Sequence, residues 1–411
     1  MFIMDNTIRD YAWGSTEQMA QFMGHAPTGK PQAELWIGAH DGDPSMLPDG
    51  RRLNEVISEG AADVLGNRVC DIFGERLPFL MKVLAVNEPL SLQVHPSSER
   101  ARIGHTRENG AGIPIDAGHR NYKDQWHKPE LIFAITRFEG MAGFREIDKT
   151  VELLKLLNLT WADGVAEQLQ SGPAFQTLRA VVTETLAMEG RKLNRLLSQV
   201  GDAARHAEAR ARREQLRHRS KRNKGQSMVG PEAVRVFARV GDLVRRYPKD
   251  PGVLVTLLLN NVTLAPGEAM FVNAGVVHAY AEGFGVEIMA SSDNVLRAGL
   301  TPKHMDVEEL LSITNFTPIP PPRWDPSERT ADFCYIEPPV AEFCLTVGRP
   351  PLRRVPATGP RAVLVLEGEV EVVARQERIA VRRGQSVFIS HHDGPVDIVG
   401  TGRVAVGAVP A

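Results

Sequence analysis

The sequence predicts a mainly β protein interrupted by an all-α insertion and closed by a small β-sandwich. Three observations carry that reading. Residues 1 to about 146 hold short apolar runs between Gly and Pro, the pattern of strands joined by turns. From 147 to 249 apolar residues recur at helical spacing. From 250 onward strand-like runs return, and beyond the link Pro318-Ile-Pro-Pro-Pro322 they continue at turn-separated spacing. The expected units are therefore 1–146 with 250–317, then 147–249, then 318–411, and 411 residues suit two or three domains.

In the first unit Leu35-Trp-Ile-Gly, Phe79 to Ala85, Leu90 to Val94 and Leu131 to Thr136 each read as a strand bounded by turn residues. Ser97 can cap a short helix. In the second, Val151, Leu154 and Leu157, then Phe175, Leu178, Val182 and Leu186, lie at helical spacing. Pro231 can open a further helix with Val234, Phe237 and Val244 on one face. Arg205 to Lys224 carries nine Arg or Lys against two Glu. No aromatic residue interleaves those charges for base stacking, so the run reads as a solvated face, not a nucleic-acid contact. Val253 to Leu259 has the length of a buried strand. In the tail, Ala362–Leu366, Gly368 and Val370–Val373 read as a hairpin, followed by strands at Ile379–Val381 and Val387–Ile389.

Composition excludes several classes. Hydrophobic residues make up 43 % and charged residues 24 %, as in soluble globular proteins. A net charge of −2 gives no global attraction to nucleic acid or anionic membranes. No run approaches the roughly 18 apolar residues of a membrane span, and the first residues lack a signal-peptide pattern. Three widely spaced cysteines, Cys70, Cys334 and Cys344, suit a reducing compartment. The expectation is a cytoplasmic monomer that binds neither nucleic acid nor membrane.

The chemistry gathers around Gln93-Val-His95. Residues two apart on a strand share a face, so Gln93 and His95 project together, with Ser91 at the same parity. Glu130, behind Pro129, opens an apolar run, and a carboxylate there needs a partner such as a cation. His278 sits in Gly275-Val-Val-His-Ala-Tyr280. One amide, two imidazoles and one carboxylate form a mixed N/O set that suits a divalent ion, zinc first. A distant internal repeat links Ala265-Pro-Gly-Glu-Ala-Met-Phe-Val to Val381-Arg-Arg-Gly-Gln-Ser-Val-Phe-Ile. Eleven residues after Gly267 comes His278, whereas eleven after Gly384 comes Pro395, so the second copy reads as the same architecture without a metal.

Gly267 to His278 resembles the second cupin motif, with Asn273 where Pro is usual. Gln93-Val-His95 with Glu130 resembles the first, with Gln in place of its first His. More specifically, the chain resembles the type I phosphomannose isomerases. The matching stretches are Ala33–His40, Leu77–Leu84, Pro89–Pro96, His127-Lys-Pro-Glu130, Ala274–Tyr280 and Glu287–Lys303. The resemblance implies a cupin or jelly-roll catalytic domain, an inserted helical domain and a metal-free cupin-like tail. It implies one zinc per chain on Gln93, His95, Glu130 and His278, and interconversion of mannose 6-phosphate and fructose 6-phosphate. It assigns Arg297, Lys128, Glu287 and Asp293 to catalysis, and Ser91 and Lys82, with Lys128 and Arg297, to substrate binding. Mannose-nucleotide (GDP-mannose) synthesis or mannose catabolism would be natural settings.

These residue types suit the reaction. The pyranose ring must open, and a proton must move between C2 and C1 through an enediol. That needs a base near both carbons and a cation near both oxygens. Plain readings stand beside these. Lys82 can be a snorkelling strand lysine. Arg297 and Asp293 can pair locally in a polar loop. Trp36 and Trp126 read as packing residues. His40, His105, His119, His304, His391 and His392 read as solvated or structural, whereas His127 adjoins Lys128 and can support the site from behind. Two rival functions remain: another metal-dependent cupin enzyme such as an oxygenase, and a non-catalytic sugar-phosphate binder.

Overall fold

The computed structural model describes residues 1–220, 230–352, 354–375 and 377–411. Its first sheet has eleven strands, organised on the long strand His278–Ala290. The C-terminal half of that strand pairs with Phe79–Val86 on one side and Glu130–Ala134 on the other. Its N-terminal half pairs with Leu92–Val94 and Phe138–Phe144 instead. The change of partners falls at a register shift between Tyr280 and Glu282, followed by Gly283 at φ +134°. A side chain at Gly283 would meet the Phe138 ring and the Arg137 carbonyl within 3 Å, so only glycine fits this bend. The shift also resets parity. Tyr280 and, further along, Glu287 and Met289 therefore face the same cavity.

Strand alternation decides what each face does. In Phe79–Val86 all eight residues are buried, yet Leu80, Lys82 and Leu84 line the cavity while Phe79, Met81, Val83 and Ala85 join a second apolar core. That core is shared with the tail, through Phe343, Leu345, Leu364, Phe388 and Ala405. Burial of one such phenyl ring contributes about 1.5–3 kcal/mol, so the two β regions are fastened firmly. Leu92 and Val94 turn the other way and enter the core of the helical region.

The helical region comprises Ile147–Lys155, Thr160–Gln170, Ala174–Leu186, Gly190–Ser220 and Gly230–Arg246. Fully buried Arg145 ties it down. Its Nε donates to Glu232 at 3.0 Å, and its other nitrogens donate to the carbonyls of Leu257 and Leu259. Residues 221–224 of the basic run lie outside the described residues. Within them, no helix is long and apolar enough to cross a membrane, and all three cysteines are free.

Two expectations are overturned. Val253 to Leu259 is not a strand: Gly252–Val255 is a helical turn that continues as the 3-10 turn Thr256–Leu258. Every residue of it is buried, and a run that is apolar on all sides has no periodicity to choose between helix and strand. Nor do the strands flanking Gly368 form a hairpin. Arg361–Glu367 lies in the seven-stranded sheet of the tail, paired with Ser386–Ile389 and Arg403–Ala408. Glu369–Ala374 lies in a separate three-stranded sheet. Gly368, at φ +70°, carries the chain from one layer of a sandwich to the other. The tail's sheet is completed by the other end of the chain, because Phe2–Met4 pairs with Ser386–Phe388.

Candidate functional site

Two rungs of the first sheet carry most of the site. In one, Gln93 lies between His278 and Arg297 on the flanking strands. In the other, Lys82 lies between Trp36 and Glu287. Directly opposed residues stand about 4.5–5.5 Å apart, so in each rung the central side chain can reach both of its neighbours.

His95, Glu130 and His278 are almost wholly buried, and one ligand atom from each lies within 4.8 Å of the others. The backbone sets both tautomers. His95 Nδ1–H donates to the Asn294 carbonyl at 2.7 Å, and His278 Nδ1–H donates to the Val276 carbonyl at 2.9 Å. With the protons on Nδ1, both Nε2 lone pairs point at the Glu130 carboxylate, 3.2 Å away for His95 and 3.1 Å for His278. The His95 Nε2 makes no hydrogen bond. Burial holds the His95 imidazole down to about 4, so it stays neutral. Burial works to raise Glu130, but the Lys128 ammonium, 3.1 Å away, holds it well below the usual carboxylate range. Three proton-free acceptors thus face one another, and Lys128, the ammonium beside them, meets the carboxylate and not the His95 nitrogen. A divalent cation answers that arrangement, and the nitrogen and oxygen donors fit zinc. The Gln93 amide nitrogen is 3.4 Å from His278 Nε2, and a half-turn of the amide would put its oxygen there, in reach of a cation held by the other three.

A cavity of about 500 Å³ opens above this cluster. Ser91, Lys82, Lys128, Glu287, Asp293 and Arg297 all line it, as do Gln93 and Glu130. His95 and His278 lie beneath its floor, and His127 does not reach it. The Lys82 ammonium sits 3.5 Å from Glu34 and 3.4 Å from Glu287, over the Trp36 ring at 5.0 Å. Burial opposes its charge, but the two carboxylates prevail and keep it protonated. Burial pushes the Glu287 carboxyl up to about 7, against the pull of Lys82. Arg297 forms no ion pair among the described residues, and burial alone shifts it, downward.

Sequence reasoning missed four residues here. Glu34 accepts from Trp36 Nε1 at 2.5 Å and pairs with Lys82; a charged residue inside an apolar strand was the available signal. The Tyr280 hydroxyl is buried without a hydrogen-bond partner among the described residues. Lys303 lines the cavity on the side of Arg297. His40, read from sequence as solvated or structural, lines the cavity 3.4 Å from Asp293. Burial works to raise Asp293, but His40 holds it down at about 2. The backbone N–H of Gly42 donates to His40 Nδ1, which leaves the Nε2 proton facing Asp293. The tryptophans divide: Trp36 lines the cavity, whereas Trp126 stacks under Arg76, its ring centroid 4.4 Å from the guanidinium carbon.

Comparisons with known proteins meet this geometry. Residues 1–147 match the family model for the phosphomannose isomerase type I catalytic domain, and 361–409 match that for the mannose-6-phosphate isomerase cupin domain. The chain is 37 % identical over 410 residues to mannose-6-phosphate isomerase of Salmonella typhimurium, covering 97 % of both. It is 34 % identical over 411 residues to that of Escherichia coli, again covering 97 % of both. The human enzyme is 34 % identical over 336 residues, 77 % of this chain and 74 % of that one. A crystal structure of the Salmonella typhimurium enzyme, bound to fructose 6-phosphate and zinc, superposes with a TM-score of 0.86 at 34 % identity, covering 100 % of both chains.

Proposed function

We infer the function from a premise now in hand: the chain belongs to the type I phosphomannose isomerase family, and it interconverts mannose 6-phosphate and fructose 6-phosphate with zinc. The observation that carries this is the convergence of three proton-free acceptors, His95, Glu130 and His278, under a cavity whose walls bear Arg297, which forms no ion pair among the described residues. Gln93, His95, Glu130 and His278 would hold the zinc, which supplies Lewis-acid polarisation of sugar oxygens when bound.

The chain's own groups divide the remaining work. Ser91 and Lys303 bind the dianionic phosphate, whereas Lys128, 3.1 Å from Glu130, acts on the sugar oxygens beside the metal ligands. Arg297, one rung from Gln93 and without a carboxylate of its own, stabilises the charge of the enediolate. Glu287, with its carboxyl at about 7, moves the proton between C2 and C1. Lys82 is held charged between Glu34 and Glu287, so it acts as a fixed cation. Asp293, kept anionic by His40, is the base that starts ring opening. The finer architecture follows the same reading: a cupin-type catalytic unit from 1–146 and 250–317, a helical insertion at 147–249 and a metal-free β unit at 318–411, acting as a monomer.

The test is a coupled assay on purified chain with metal analysis. About one zinc per chain, turnover of mannose 6-phosphate and loss of activity with a chelator are expected. No turnover after zinc is restored would overturn the reading.

A further inference from the structure

The strip Trp126-His127-Lys128-Pro129-Glu130 brings two residues to the cleft, Lys128 and Glu130. It is held from the far side by the tail. His127 Nε2 is 2.6 Å from Glu342 Oε1, a contact between residues 215 apart in sequence. The pair is shielded, with side chains 21 % and 13 % exposed. Glu342 sits on the connection between Phe333–Ile336 and Cys344–Gly348 of the tail's sheet. Its neighbour Phe343 is fully buried in the core that the tail shares with the first sheet. The carboxylate is therefore presented from a rigid base.

The strip itself has few ways to move. The Trp126 carbonyl accepts from Asn294 Nδ2 at 2.8 Å and from Ser292 Oγ at 3.2 Å. Pro129 fixes its own φ and confines Lys128 to extended backbone. His127 is the residue between those anchors, and Glu342 is its side-chain partner. With the His127 ring held, Lys128 projects into the cleft, its Nζ 3.1 Å from Glu130 Oε1.

We propose that Glu342 is a positioning residue for the isomerisation: through His127 it sets the backbone that aims Lys128, and so the tail contributes to turnover without touching the sugar. The assay arm of the test rests on the isomerase reading above, and a second arm does not.

The test uses the full zinc-loaded chain and the variants Glu342→Ala, Glu342→Gln, His127→Ala and the double Ala variant. Glu342→Ala should lower kcat roughly ten- to a hundredfold, the scale of a small misplacement of a catalytic group. KM should change less than about threefold, and zinc content and Tm should stay near wild type, since the sugar is gripped by other groups. Glu342→Gln keeps an oxygen that accepts from His127 Nε2–H and should recover most of kcat. On the His127→Ala background, removing Glu342 should cost nothing further. The second arm labels lysines with acetic anhydride and reads Lys128 by mass spectrometry: Glu342→Ala and His127→Ala should raise its labelling rate several-fold and leave Lys82 unchanged. Wild-type kcat in Glu342→Ala, additive losses in the double variant, or unchanged Lys128 labelling would each overturn the proposal. An inactive wild type would overturn the isomerase reading instead, and the labelling would then decide the positioning claim alone.

Discussion

The molecule contains two β regions with the same local signature and opposite interiors. In the first, Gly267 turns at φ +89° into Ala269–Val272, and the chain then reaches His278. In the tail, Gly384 turns at φ +84° into Ser386–Ile389, and the chain then reaches Pro395. The first encloses Lys82, Gln93, Glu130 and Glu287 above two buried histidines. The tail encloses Val363, Val365, Val370, Val372, Val387, Ile389 and Val404 with their neighbours. One scaffold can thus bury charges for chemistry or methyl groups for stability. Buried charges cost free energy unless paired. The catalytic region offsets that cost by packing its outer face on the tail, in the core that holds both Met81 and Phe343.

The contrast can be broken most sharply at the metal. His95→Ala removes one of two imidazoles and should abolish stoichiometric zinc, with turnover down by roughly 10³-fold or more. Elemental analysis that still finds one zinc per chain would break the ligand assignment. Arg297→Ala should come next, lowering turnover roughly 10²- to 10³-fold, as for loss of one preorganised charge stabiliser. Zinc content and Tm should hold; unchanged turnover would remove its role.

A third test uses acidity. As a base, Glu287 must be ionised, so kcat should rise with pH through about 7 and fall about tenfold per unit below it. Stability of the zinc-free chain should run the other way. The folded carboxyl titrates above its ordinary value of 4.5, so the unfolded chain loses this proton first as pH rises. The contribution of Glu287 is therefore greatest below 4.5 and declines up to about 7. Glu287→Gln should flatten the Tm profile of the zinc-free chain across that window, and a parallel profile would contradict the assignment. The smallest effect belongs to the tail. Val372→Ala should cost roughly 1–3 kcal/mol by cavity formation and leave kcat within about twofold. A large kcat loss there would show that the aliphatic interior does more than stabilise.

Much of this was legible in the sequence because strands write their faces at a period of two. Gln93-Val-His95 shows its metal side and its packing side within three residues. The same period separates Lys82 from Met81 and Val83. What stayed illegible depends on distant partners. His40 reads as an ordinary loop histidine until the fold brings Asp293 to it from 253 residues away (293 − 40). Gly368 announces a turn, but a turn within a sheet and a crossing between layers look alike locally. Val253 to Leu259 carries no period at all.

The pairing of Phe2–Met4 with Ser386–Phe388 has a consequence for biosynthesis. During translation the first strand emerges long before its partner. At about 5–20 residues per second, Phe2 waits on the order of 20–80 s for Phe388, which is 386 residues later (388 − 2). Contacts of such separation form late and slowly. Until then Phe2–Met4 has no partner in the tail's sheet, and ribosome-bound or truncated chains carry an unpaired strand of the kind that seeds aggregation.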